Sequence, residues 1–240
     1  MVDQQRLGRV FVELADTLVT DFDVVEFMTI LAHRVVELLG AREAGVVLAD
    51  ERGLLRSVAS SHESAHLLDL FELQNEEGPC LDCYRTGEPI LNHSLAPPDN
   101  QWPNFAMEAR RLGFATVHAL PMRLRGEVIG AVNIFASNPT VLTQSEVEVG
   151  QALADVATVG LLQERGLRQA RLLNEQLQGA LNSRIAIEQA KGMLAERRGI
   201  ELDAAFDALR AYARNTNQKL SAVAQSLLAG TLSAEVLERH

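Results

Sequence analysis

The stretch Ser183–Gly230 limits what this chain can fold into more than any other part of it. It reads SRIAIEQAKGMLAERRGIELDAAFDALRAYARNTNQKLSAVAQSLLAG, three helical segments rich in alanine, with basic residues set between apolar ones. A stretch this short and polar cannot hold an enzyme core, but it suits a small helical module that grips a partner. The first segment is expected to start near Ser183 and end before Gly199. Ile187, Ala190 and Leu194 fall at i, i+3 and i+7 and form one buried stripe, while Arg184, Glu188 and Lys191 share another face, where salt-bridged side chains stay solvated. Glu201-Leu202-Asp203 opens the second segment with acid at its positive end. Phe206, Leu209 and Ala213 form its core side, and Arg210 and Arg214 stand one turn apart on another. Asn215-Thr216-Asn217 breaks it. Ser221 is expected to cap a third helix that turns Val223, Ala224, Leu227 and Leu228 inward and ends at Gly230. Three helices of this size bury little surface, so support from the preceding helix is expected.

That preceding helix opens at Thr143, which forms the capping box T-x-x-E with Glu146. Val149, Leu153, Val156, Leu167, Ala170, Leu177 and Leu181 follow 4-3 spacing, and Gly160, Gln163 and Asn174 interrupt the register. Two readings fit: a dimeric coiled coil with residues 164–182 as its linker, or one amphipathic helix that covers a sheet at its start and is solvated later.

Upstream, Leu7, Val10, Phe11, Leu14 and Leu18 mark a first helix. A turn at Thr20-Asp21 leads to a second, carrying Val24, Phe27, Met28, Leu31, Val35 and Leu38 and closed by Gly40. Gly45–Ala49 and Leu54–Ala59 read as a hairpin across Asp50–Gly53. Helices are expected over His62–Gln74, Cys80–Arg85 and Asn104–Leu112, with a short strand at Pro89–Asn92 and a Pro-rich loop at Ala96–Pro103. Phe114–Leu124 and Val128–Phe135 form a second hairpin across Arg125-Gly126-Glu127. Helices around an antiparallel sheet define an α+β domain.

The 240 residues carry a formal charge of -10, which argues against broad coating of nucleic acid. Between Ser183 and Leu220, however, seven basic residues (Arg184, Lys191, Arg197, Arg198, Arg210, Arg214, Lys219) face five acidic ones, leaving +2. A modest local excess fits a small structured target. No apolar run is long enough to span a membrane and no signal peptide is read, so a cytoplasmic location is expected. Nucleophile elbow, zincin, P-loop and dinucleotide motifs are absent from the sequence, so no enzyme is expected. Cys80 and Cys83 are spaced C-x-x-C, and three readings stand for them: a turn into a short helix with a buried thiol, a redox pair, or half a metal site. The other half would have to come from His62, His66 or His93, none at a standard paired spacing, and no metal is assigned.

FATVHALPMRLRGEVIGAVNIFASNPTVLTQSEVEVGQALADVATVGLL is similar to the end of a GAF domain, in its hairpin, the small pair Gly130-Ala131 and the exit helix opening with Thr. The likeness covers roughly residues 5–163. It implies a sensing or dimerising domain with its pocket between the sheet and a cover, here His62–Trp102, which holds His62, His66, Cys80, Cys83, Tyr84, His93 and Trp102. Its ligand is unknown, a small molecule or a redox signal, and no cofactor is assigned. IEQAKGMLAERRGI, DAAFDALRAYAR and KLSAVAQSLL resemble an ANTAR domain, placed at 183–235. That resemblance implies binding to RNA with paired hexanucleotide-loop stem-loops, which prevents a terminator from forming; a homodimer is expected because two modules presented together strengthen the second contact. Ala190, Lys191 and Arg210 fall on motif positions linked to RNA contact; Arg184, Gln189, Arg214 and Lys219 are added for charge and proximity. Ala190 is small either for helix packing or to let a base approach. Two other readings are a helix-turn-helix DNA-binding regulator using Arg210 and Arg214, and a sensor whose terminal helices bind protein alone.

Overall fold

The computed structural model describes residues 4–18, 22–97, 101–139 and 141–236. The turn read at Thr20-Asp21 and the middle of the Pro-rich loop lie outside them. Contacts divide the chain into two units, Met1–Arg165 and Gly166–His240.

The first unit opens with helices α1 (Gln4–Thr17) and α2 (Val24–Leu39). Asp23 starts α2 by accepting the Val25 and Glu26 N–H, and Gly40 stops it at φ 63°, a conformation open to glycine at little cost. Strands β1 (Glu43–Ala49) and β2 (Leu55–Ser60) follow as a hairpin. Helices α3 (Glu63–Asn75) and α4 (Pro79–Thr86) lead to β3 (Ile90–Ser94), then to helix α5 (Pro103–Arg111). Strands β4 (Thr116–Leu124) and β5 (Glu127–Ala136) meet across Arg125 and Gly126, both at positive φ. The strands form one antiparallel sheet in the order β2-β1-β5-β4-β3.

Strand alternation sorts the sheet's two faces. Ala44, Val46 and Leu48 of β1, Leu120 and Met122 of β4, and Val132 and Ile134 of β5 pack with α1, α2 and the start of the next helix, α6 (Gln144–Arg198). Val47, Ala119 and Ala131 face the other way, against Cys80 and Cys83 of α4. Trp102, Phe105, Phe114 and Phe135 make a second cluster on that side, with Ala65 and Leu68 of α3.

Helix α6 begins with the expected capping box: Thr143 N–H donates to Glu146 Oε2 at 2.9 Å, and Glu146 N–H donates to Thr143 Oγ1 at 3.4 Å. Its early stripe belongs to the sheet. Leu153, Ala154, Ala157 and Leu161 are buried in the first core, and a Cβ at Gly160 would meet Leu18 Cδ1 at 2.7 Å, so this glycine gives α1 its seat. The expected break near Ser183 does not occur. The helix runs unbroken to Arg198, and its last turns are the first member of the helical trio.

In the second unit those turns pack with α7 (Leu202–Asn215) and α8 (Leu220–Leu228). Ala186, Ala190 and Leu194 meet Ala205, Leu209 and Ala213 of α7 and Val223, Ala224 and Leu227 of α8. Gly199, at φ 62°, ends α6. The cap of α8 is Lys219, not Ser221: the helix starts two residues earlier than the Ser signal indicates, with no side chain bonded to its first turn.

Candidate functional site

The trio's inner face is built from small residues. Ala190 is fully buried there, which makes it a packing residue in this arrangement. Around it, Arg184 and Gln189 of α6, Arg210 and Arg214 of α7 and Lys219 at the start of α8 are exposed. Lys191 differs: its side chain is only 18% exposed, and its Nζ lies 2.8 Å from Glu188 Oε2, one turn earlier. The Arg198 guanidinium donates to the Ala234 carbonyl, and Arg197 and Arg198 line an open cleft of about 710 Å³ with Gly230, Leu232, Ser233, Ala234 and Glu235. Exposed guanidinium groups present forked donors that match phosphate oxygens and base edges. Preceding the trio, Leu167, Leu172, Leu173, Leu177 and Leu181 are each more than half exposed on α6.

In the sensor unit, the residues read as a pocket fall into separate groups, with His93 against Trp102 and Cys80 beside Cys83. His62 caps α3 and is exposed. His66 pairs with Ser57 Oγ at 2.9 Å, His93 stacks on Trp102 with ring centroids 4.5 Å apart, and Trp102 Nε1 donates to Asp82 Oδ2 at 2.9 Å. Beneath α3 and α4 the space holds Asp69, Glu72 and Asn133, all fully buried. Asn133 Nδ2 donates to Asp69 Oδ1 and to Glu72 Oε2, both at 2.9 Å, and Leu81 N–H donates to Glu72 Oε1 at 3.0 Å. Burial without a cation pushes the Asp69 carboxyl up to about 7; burial and the neighbouring Asp69 push Glu72 up to about 8. The sequence reading missed this cluster. Its signal was present: Asp69 and Glu72 fall at i+4 and i+7 from Ala65, on the side that α3 turns to the core.

Cys80 and Cys83 are both free and buried. Burial raises both thiols, Cys83 to about 12. Reactive sensor thiols are accessible and acidic, and these are neither. Among the described residues no group of three or more His, Cys, Asp or Glu is placed to hold a metal ion, and no helix is long and apolar enough to cross a membrane.

An antiparallel sheet clad on both faces is followed in the chain by a trio of helices with exposed cations. The chain belongs to the GAF domain family, which matches residues 23–161, more than half its length; an ANTAR domain is found at residues 175–228. Both are regulatory, non-catalytic kinds of domain. Among solved structures, the GAF domain of a phosphoenolpyruvate-protein phosphotransferase from Coxiella burnetii is 17% identical, with a TM-score of 0.54 over 69% of this chain and 98% of that one. A GAF domain/HD domain protein from Geobacter sulfurreducens is 22% identical, with a TM-score of 0.50 over 60% of this chain and 94% of that one. A protein in a far-red absorbing dark state with bound biliverdin is 12% identical, with a TM-score of 0.50 over 67% and 99%. At these identities the likeness is one of fold. Among curated proteins no sequence matches.

Proposed function

We propose that this chain is a transcription antitermination regulator that binds a two-hairpin RNA as a homodimer, under control of its GAF unit. The observation that carries this reading is the ANTAR match at 175–228 together with exposed Arg184, Gln189, Arg210, Arg214 and Lys219 on that same trio. Proteins read RNA sequence mainly in unpaired loops, where bases are splayed out and open to polar contact and stacking. One module of this size reaches only a few loop bases, at about 1–3 kcal/mol each where stacking contributes, so a single module binds weakly. Two modules on a dimer bring the second contact to an effective concentration of about millimolar.

The exposed leucines of α6 support a second copy as the occupant of that face. Leu167, Leu177 and Leu181 keep the 4-3 register with Ala170, and each leucine is more than half exposed in the single chain. Contiguous apolar surface of this kind marks an interaction site, and a parallel pair would bury the stripe and set two trios side by side. Within the trio, Lys191 must leave Glu188 to meet RNA, while Arg210 is already open to solvent.

The test is a gel-shift series with a two-hairpin RNA, a single hairpin and duplex DNA. Tight binding to the first, weaker to the second and weakest to the third is expected. Preference for the duplex would transfer the reading to a DNA-binding regulator, and no binding to any of them would leave a sensor that engages protein.

A further inference from the structure

Two carboxyl groups lie under α3 and α4 with no cation beside them among the described residues. Asp69 and Glu72 project from α3 one turn apart toward Asn133 of β5. Among the described residues, the donors that reach the two carboxyls are the two hydrogens of the Asn133 amide and the backbone N–H groups of Leu81 and Cys80, which go to Glu72, while the Cys80 thiol lies beside Asn133. Asp69 Oδ2 and Asn133 Oδ1, both fully buried, are left without a hydrogen-bond partner. Both orphans are acceptors, so the missing element of this cluster is hydrogen. The cluster is also tightly seated. A Cβ at Gly45 would fall on the Asp69 carboxyl, and one at Gly78 would come within 2.5 Å of Glu72 Cδ. Two glycines therefore make room for the two acids.

We propose that the sensor unit contains a buried proton site: Asp69 and Glu72 hold at least one proton between them while α3 and α4 are seated on the sheet, and the cover loosens when that proton is lost to water. Two adjoining carboxylates cannot both stay ionised in a dry site without a counter-charge. The groups that face the pair from the elements around it supply none. Helix α4 brings Cys80 and Cys83, both held as thiols; β5 brings the neutral Asn133; β1 brings Gly45. Glu43, farther along β1, is engaged with Arg42 at 3.4 Å and receives the Ala65 N–H. Arg123 of β4 lies toward Cys83 and pairs with Glu88 at 3.6 Å. An opened cover returns the two acids to water, where such groups ionise near pH 4. Closing therefore takes up a proton at neutral pH, and the closed state weakens as pH rises from about 4 through the raised values of the pair. Because Cys80 and Cys83 sit against the same cluster, opening also exposes both thiols. The site belongs to the first unit and stands independently of RNA binding.

The experiment is thiol labelling of the full chain between about pH 6.5 and pH 8.5, each rate divided by that of a free cysteine peptide at the same pH. Exchange of one proton multiplies the opening constant up to about tenfold per pH unit, so the normalised rate should climb severalfold across the range. In the variant carrying Asp69→Asn and Glu72→Gln the climb should vanish. A normalised rate flat with pH in the unaltered chain, or an identical climb in the variant, overturns the proposal. If the variant fails to fold, infrared spectra of the unaltered chain decide: a buried protonated carboxyl band at neutral pH is expected, and carboxylate bands alone would contradict it.

Discussion

At the scale of single residues, the sign of a glycine substitution depends on its neighbour. Gly45→Ala would drive a methyl group into the buried Asp69 carboxyl, whereas a Cβ at Gly179 meets nothing within 4 Å. We expect Gly45→Ala to destabilise the protein by about 1–3 kcal/mol in a denaturant titration, as overpacking does, and Gly179→Ala to stabilise helix α6 by up to about 1 kcal/mol. His118 gives an acid-side expectation. It is buried, its Nδ1 accepts the Asn92 N–H at 2.8 Å, and burial lowers its pKa to about 4. Its folded value is depressed, so its contribution to stability is present above its ordinary value near 6.5 and is lost as pH falls toward about 4. Unfolding followed over that window should show a loss that His118→Gln removes. On the RNA side, Arg210→Ala should weaken hairpin binding by about tenfold or more, and the same change should reduce the salt slope if the contact is to phosphate. Unchanged affinity would remove Arg210 from the interface. The sequence exposed the cationic residues well, since charge placed on a solvated face reads directly. The Glu188–Lys191 pair was legible from its i, i+3 spacing, but the 18% exposure of Lys191 was not, because it depends on the packing around the helix.

At the scale of elements, pattern was legible where one face is apolar and the turn has a chemical signature. Gly40, the Arg125-Gly126 turn and the Thr143/Glu146 box lie where their spacing places them. Helix α3 was legible as a helix but not in its orientation. Leu67 is 51% exposed while Ala65 and Leu68 share the buried face with Asp69 and Glu72, so apolar residues fall on both sides and two acids on the inner one. The segment expected to start near Ser183 has no start there: Ser183 sits inside the continuous helix α6, next to the leucine stripe, because a residue that favours caps and turns can still occupy a helix interior. That stripe supplies the element-scale test. Leu177→Asp should shift sedimentation from dimer to monomer while circular dichroism retains the helical signal. A dimer unaffected by this change would place the contact elsewhere.

At the scale of the whole molecule, the chain joins two regulatory kinds of domain, a GAF domain at residues 23–161 and an ANTAR domain at residues 175–228. The chain's net charge of -10 beside a locally basic trio would confine the proposed RNA binding to one end. Helix α6 was the least legible part of the sequence, since one helical pattern serves the sheet at its start, a bare leucine face midway and the trio at its end. The central claim, that paired trios hold paired loops, is tested most directly by titrating the intact chain with a two-hairpin RNA and with the same RNA lacking one hairpin. The account expects affinity for the two-hairpin RNA to exceed that for the single hairpin by about a hundredfold, as linked sites allow, and expects Leu177→Asp to abolish the difference. Equal affinity for both RNAs, or a gain that survives in the monomeric variant, would contradict it.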